Sequence, residues 1–182
     1  EERPYLTAGY CDVTNAASFP TTHEGYDTII CLNVLEHVED DHDALMNIQR
    51  CLAPGGAAIV LVPQGPQNFT TLDEVLGHKR RYTEETLLKL AESCGLSAER
   101  VIPFNRLGSV AWYINGKLLR RRNFGLSQIY LLNLIAPLVR HFDWALPFPP
   151  LSLIVILRSR DDFGALQSHR ENVDRTLVSI AP

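Results

Sequence analysis

Cysteine is sparse and scattered in this chain: Cys11, Cys31, Cys51 and Cys94 form no CxxC pair. That spacing argues against a zinc site and against a disulfide framework. Three of the four sit in apolar stretches, where cysteine behaves as a small buried hydrophobe, and a reducing, cytoplasmic setting fits such usage. Long hydrophobic runs are missing too. The longest covers about residues 129–139 and is interrupted by Asn133 and Pro137; a membrane-spanning helix needs roughly 20 apolar residues. The opening EERPYLTAGY shows no basic-then-apolar signal pattern. Positive charge is not in excess either. With 17 Lys and Arg against 21 Asp and Glu, the net charge is −4, so nucleic acid is not an expected partner. No internal repeat is visible.

What is present is ordinary globular sequence. The 182 residues, 46% hydrophobic and 21% charged, suffice for one domain with a core. Residues 5–13 read as a short strand ending at Asp12, followed by a loop marked by Asn15, Ser18 and Pro20. Tyr26–Leu32 is apolar on consecutive positions, as in a parallel strand covered on both faces. Asp40 or Asp41 can cap a helix over residues 41–52, with Ala44, Leu45, Ile48 and Leu52 on one face, and Pro54-Gly55-Gly56 stops it. Residues 57–62 form another buried strand. Thr83 caps a helix that buries Leu87, Leu88 and Ala91 and ends at Gly95. Two more strands are expected at 99–104 and 153–157. Strands alternating with helices indicate an α/β parallel sheet. A long insertion, residues 106–150, separates the last two strands, and residues 161–182 form a polar tail.

Ligands of open α/β sheets bind beyond the carboxyl ends of the strands. Three such ends are informative: Asp12-Val13, Leu32-Asn33 and Pro63-Gln64. A carboxylate at the first can accept a hydrogen bond from an exocyclic amine, and Asn33 can hold the amino-acid end of a ligand. His37 and His78 are the candidate bases, since imidazole titrates near neutral pH. His42, at an acidic helix start, is expected on the surface. Leu72–Thr83, LDEVLGHKRRYT, reads either as a solvated loop leading into the capped helix or as a lid over an acceptor site.

The order strand–Asp–loop, then YDTIICLNVLEHVEDDHDALMNIQRCLAPGGAAIVLVP over residues 26–63, then GHKRRYT, resembles class I S-adenosylmethionine-dependent methyltransferases, in particular the ubiquinone-type O-methyltransferases. The resemblance covers about residues 5–158. It implies a Rossmann-like methyltransferase fold, here the C-terminal two-thirds of one with a helical insertion before the last strand, in a partial domain over residues 1–160. It also implies S-adenosylmethionine as cofactor, with Asp12 on the adenine amino group, Val13 giving a backbone contact to the ring, and Leu32 and Asn33 lining the methionine side. The family's glycine-rich loop and second-strand acidic residue come earlier; only eleven residues precede Asp12, and none forms a GxGxG. Some relatives hold a divalent metal through Glu-x-x-Glu-His plus a later histidine. Glu36, His37 and His78 match part of that set, but Asn33 replaces the first Glu, so no metal is expected, Glu36 and His37 instead shaping the turn and contacting substrate.

The expected function, in the full-length parent protein, is methyl transfer from S-adenosylmethionine to a small-molecule, glycan or lipid-linked acceptor. The alternative is a truncated or degenerate, non-catalytic module acting through its helical, basic insertion. A nicotinamide-dependent dehydrogenase, which would call for a catalytic Tyr-x-x-x-Lys, is not expected. Within the insertion, the basic run Lys117, Arg120, Arg121, Arg122 precedes an apolar helical pattern over residues 127–143. The first reading of this stretch is a protein lid with a solvated basic edge; peripheral membrane contact through residues 117–139 and a homodimer interface are the other readings.

Overall fold

The computed structural model describes residues 8–19, 24–122, 125, 130, 134–135, 137–138 and 141–160. Four strands form one sheet: β1 (Tyr26–Leu32), β2 (Leu52–Pro63), β3 (Leu96–Phe104) and β4 (Ser152–Ser159), in the order β1-β2-β4-β3. β1 and β2 run parallel, with Ile30 opposite Ile59 and Leu32 opposite Leu61. β4 is antiparallel to both of its neighbours, so the sheet is mixed and not all parallel as expected. A run of buried apolar residues reads alike in either direction.

Helices α1 (Asp41–Cys51) and α3 (Glu84–Ser93) form the covering layer. Asp40 caps α1 by accepting from the Asp43 amide. Thr83 caps α3 through the Thr86 amide, and Gly95 follows with φ +72°, where a side chain would be strained. Ala44, Leu45 and Ile48 of α1 and Leu87 and Ala91 of α3 pack with Cys31, Val60, Val155 and Leu157 in a single core. Full burial of a leucine such as Leu45 or Leu157 contributes about 2 kcal/mol.

Among the described residues, only that sheet face is fully buried. Alternate residues of β1 and β4 point the other way: Ile30 and Leu32 are exposed and Ile154 and Ile156 half-buried. The expectation of a β1 covered on both faces therefore fails among the described residues. Three further differences matter. Residues 8–12 form no strand; Asp12 starts a turn instead, and residues 5–7 lie outside the described set. β2 begins at Leu52, so Pro54-Gly55-Gly56 lie in an irregular lead-in to the strand, opposite a register shift between Tyr26 and Thr28. A short helix, α2 (Thr71–Leu76), occupies part of the segment read as a loop.

The insertion opens with α4 (Arg106–Trp112), which continues as a π-helical turn, Tyr113–Leu118. Its far end returns to its start: Asp143 Oδ1 accepts from the Arg106 and Leu107 amides at 2.8 and 3.3 Å. Most of the second helical pattern, residues 127–143, and the tail at 161–182 lie outside the described residues. Among those described, no helix is long and apolar enough to cross a membrane.

Candidate functional site

β1 and β2, being parallel, bring their carboxyl ends to one edge, and the loops after them interlock. After β1 the chain turns through Leu35 and Glu36, both fully buried, to the exposed His37. After β2, α2 leads into residues 77–82, and backbone bonds tie that segment back. The Lys79 amide donates to the Glu36 carbonyl at 2.7 Å, and Tyr82 exchanges bonds with Pro63 and Gly65 at 2.9 and 2.8 Å. The Tyr82 hydroxyl donates to Asp41 Oδ2 at 2.8 Å and lies 3.1 Å from the Leu35 carbonyl. Burial and the Asp41 carboxylate push its pKa upward, so it serves here as a fixed donor.

Asp73 is the centre of this arrangement. Fully buried, it accepts at Oδ1 from His78 Nδ1 and Arg81 Nε, both at 2.8 Å. Its Oδ2 accepts from the Thr70 amide at 2.8 Å, the Thr70 hydroxyl at 3.2 Å and the Trp112 indole at 3.2 Å. Burial alone would raise its pKa; the bonds from His78 and Arg81, the Arg81 charge and the Thr70 amide outweigh that and hold it below the ordinary range. An ionised Asp73 keeps the proton on His78 Nδ1 and leaves Nε2 as the ring's acceptor. Thr70 and Asp73 also form the capping box that starts α2. That pair was visible in the sequence as Thr-x-x-Asp and was passed over.

His78 Nε2 faces Glu36 Oε1 at 4.0 Å, beyond hydrogen-bond reach. The His37 ring meets the His78 ring edge-on, with centroids 4.8 Å apart. Both Glu36 oxygens are buried without a hydrogen-bond partner. Burial pushes the Glu36 pKa up, and its own backbone amide together with the charges of His78, His37 and Arg81 offsets part of that. Burial and the Glu36 charge also push the Cys31 thiol up to about 11, so this buried cysteine stays protonated and inert. Each of Glu36, His37 and His78 offers one ligand atom, all within 4.8 Å of one another. An oxygen and two imidazole nitrogens around an unpartnered buried carboxylate fit a borderline divalent ion better than a hard one.

The sequence candidates thus separate into groups. His37 and His78 come together, joined by Glu36. Leu32 and Asn33 stand at the carboxyl end of β1, both exposed, Asn33 with φ +52°. Asp12 is exposed and ends no described strand. Its Oδ1 accepts from the Thr14 hydroxyl at 2.8 Å and amide at 3.0 Å, which lowers its pKa. The Val13 carbonyl accepts from Asn47 Nδ2 at 3.1 Å. His42 is on the surface, as expected. The basic residues of GHKRRYT are each paired with a carboxylate, from the exposed Lys79 with Glu39, through Arg80 with Asp41, to the buried Arg81 with Asp73. Tyr113 and Lys117 have the Tyr-x-x-x-Lys spacing, but not the setting of a catalytic pair. Tyr113 is exposed on the π-helical turn, and Lys117 Nζ is spent on the Gln67 carbonyl at 2.9 Å.

Comparison with known proteins places this geometry. The fold is similar to that of a candidate methyltransferase from Bacillus halodurans C-125, with TM-score 0.50 and 17% identity over 79% of this chain and 68% of that one. It is also similar to a SAM-dependent methyltransferase from Archaeoglobus fulgidus, with TM-score 0.52 and 14% identity over 85% of this chain and 68% of that one. No curated protein matches the chain. A family model described as a methyltransferase domain matches residues 9–101, just over half of the sequence. The chain therefore belongs to the methyltransferase domain family, on a Rossmann-like fold.

Proposed function

We propose that this chain catalyses methyl transfer from S-adenosylmethionine to a hydroxyl or amine of a small-molecule, glycan or lipid-linked acceptor. The observation that carries the proposal is the buried, unpartnered Glu36 facing His37 and His78 at the carboxyl edge of the sheet. When bound, S-adenosylmethionine supplies a methyl group already activated on a sulfonium, so the protein's task is alignment and proton removal. Leu32 and Asn33 fit the donor's methionine side: they are exposed at the end of a parallel strand, and no hydrogen bond occupies the Asn33 side chain among the described residues. Asp12 and Val13 fit less well, because their polar groups are engaged locally.

On the acceptor side, Asp73 fixes the His78 tautomer, and His78 Nε2 accepts the acceptor's proton. Glu36 stabilises the imidazolium that results, from 4.0 Å. His37 forms the exposed wall of the same cluster. A divalent cation held by Glu36, His37 and His78 would polarise an acceptor oxygen at the same place; loss of activity on chelation, restored by the metal, would identify it.

Isothermal titration of the protein with S-adenosylhomocysteine is the direct test. Saturable binding is expected, weakened at Asn33→Ala by roughly 1–3 kcal/mol for a lost buried hydrogen bond. Absence of binding would reject the enzyme reading. It would favour the second reading, a non-catalytic methyltransferase-like module acting through its insertion, which rests on the placement of Asp12 away from any described strand.

A further inference from the structure

We infer that the described residues of the segment joining β3 to β4, chiefly 106–122 and 141–150, form a docking surface for an anionic lipid bilayer. Two independent features of residues 106–150 point to it. The first is charge. Of the residues charged at neutral pH in this stretch, with histidine counted as neutral, Arg106, Lys117, Arg120, Arg121, Arg122 and Arg140 are basic and Asp143 alone is acidic, so a positive segment is set in a chain whose net charge is −4. Asp143 is already committed to the amides that start α4. Among the described residues, no carboxylate pairs with Arg120, Arg121 or Arg122, in contrast to Lys79, Arg80 and Arg81.

The second feature is exposed apolar surface. Large hydrophobic side chains open to solvent are concentrated in this segment, among them Leu118 at 69%, Trp144 at 79%, Leu119, Tyr130, Phe142 and Phe148. Aromatic residues with one wet and one apolar side favour the headgroup boundary of a bilayer. The two ends of the surface are held in place. Asp143 pins Phe142 and Trp144 beside the start of α4. At the other end, Thr71 of α2 donates to the carbonyls of Gly116 and Arg121, at 3.1 and 2.8 Å, steadying Leu118 and Leu119. A side chain at Gly116 would run into Thr70, so the close contact with α2 is built in. The thirteen helical residues between the ends span roughly 20 Å, ample for several headgroups. Exposed apolar side chains beside guanidinium groups that have no carboxylate partner among the described residues complement an anionic bilayer, which offers negative charge above and hydrocarbon below. Through α2, which carries Asp73, the surface is joined to the loop that carries His78. A bilayer docked there would lie next to the acceptor side of the site.

Vesicle co-sedimentation of the whole protein tests this. Binding is expected to vesicles containing phosphatidylglycerol and not to phosphatidylcholine alone, and to fall with added salt. The combined reversal Lys117→Glu, Arg120→Glu, Arg122→Glu is expected to lower partitioning at least roughly ten-fold. The pair Phe142→Ala, Trp144→Ala is expected to lower it with the salt dependence retained. Unchanged circular dichroism would show that each variant still folds. No association of the native protein with anionic vesicles overturns the inference, as does association indifferent to the charge reversal. A dimer in light scattering that Phe142→Ala, Trp144→Ala dissolves, with no vesicle binding, would assign the surface to a second copy of the chain instead.

Discussion

Two buried carboxylates in the segments that follow β1 and β2 behave in opposite ways. Asp73, after β2, accepts five hydrogen bonds and faces the Arg81 charge. Glu36, after β1, accepts none. Both are shielded completely from solvent. A buried charge is tolerated where its lone pairs are filled and costs several kcal/mol where they are not. The contrast separates scaffold from site. Asp73 holds α2, His78, Arg81 and Trp112 in one arrangement, whereas Glu36 is left ready for something the fold does not itself provide.

Substitution at Asp73 should give the largest effect. Asp73→Ala would strand the Arg81 guanidinium, which is buried against it, and remove the α2 cap; a loss of about 3–5 kcal/mol is expected in urea denaturation. A loss under about 1 kcal/mol would mean that Asp73 is not the hub. Glu36→Gln should do the reverse. Activity is expected to fall roughly 100-fold, while stability holds or rises by about 1 kcal/mol as an unpaired charge is removed. A destabilised variant of normal activity would exchange the roles of the two residues.

The finest distinction is in pH. The Asp73 pKa is depressed, so its stabilising contribution is complete above the ordinary carboxylate pKa of about 4 and is lost as pH falls through the folded-state value. The Glu36 pKa is raised, so its contribution is present below that ordinary value and lost as pH climbs through the folded-state one. Stability measured against pH should lose its acid limb in Asp73→Asn and its decline above the ordinary carboxylate range in Glu36→Gln. Identical profiles for the two variants would contradict the comparison.

These residues also show what the sequence could and could not reveal. β1, α1, α3 and β4 were legible because continuous apolar runs and capped amphipathic stretches report burial and helical period directly. His37 and His78 were legible as titratable groups beside strand ends. Strand direction was not, since β4 presents the same apolar run whichever way it points. Asp73 was missed because α2 is only six residues long, too short for periodicity to register, and because the partners that define the hub lie as far off as Trp112. Asp12 was placed on a strand by pattern, yet an Asp with Thr two residues later also makes a tight local turn, and here the turn prevails. The free orientation of Glu36 has no sequence signature at all; it exists only once two loops close around it.

The two tryptophans fall one in each region of interest. Trp112 donates its indole proton to Asp73 and lies against Arg81, 4.9 Å from its ring centroid; Trp144 stands in solvent at the edge of the insertion. The molecule thus carries a matched pair of optical reporters. Trp144 will emit to the red and be reached by a soluble quencher, and its spectrum will shift to the blue on entering a lipid interface. Trp112 will keep its colour through that event and change only when the polar hub beneath it comes apart, so one cuvette can follow docking and unfolding as separate signals.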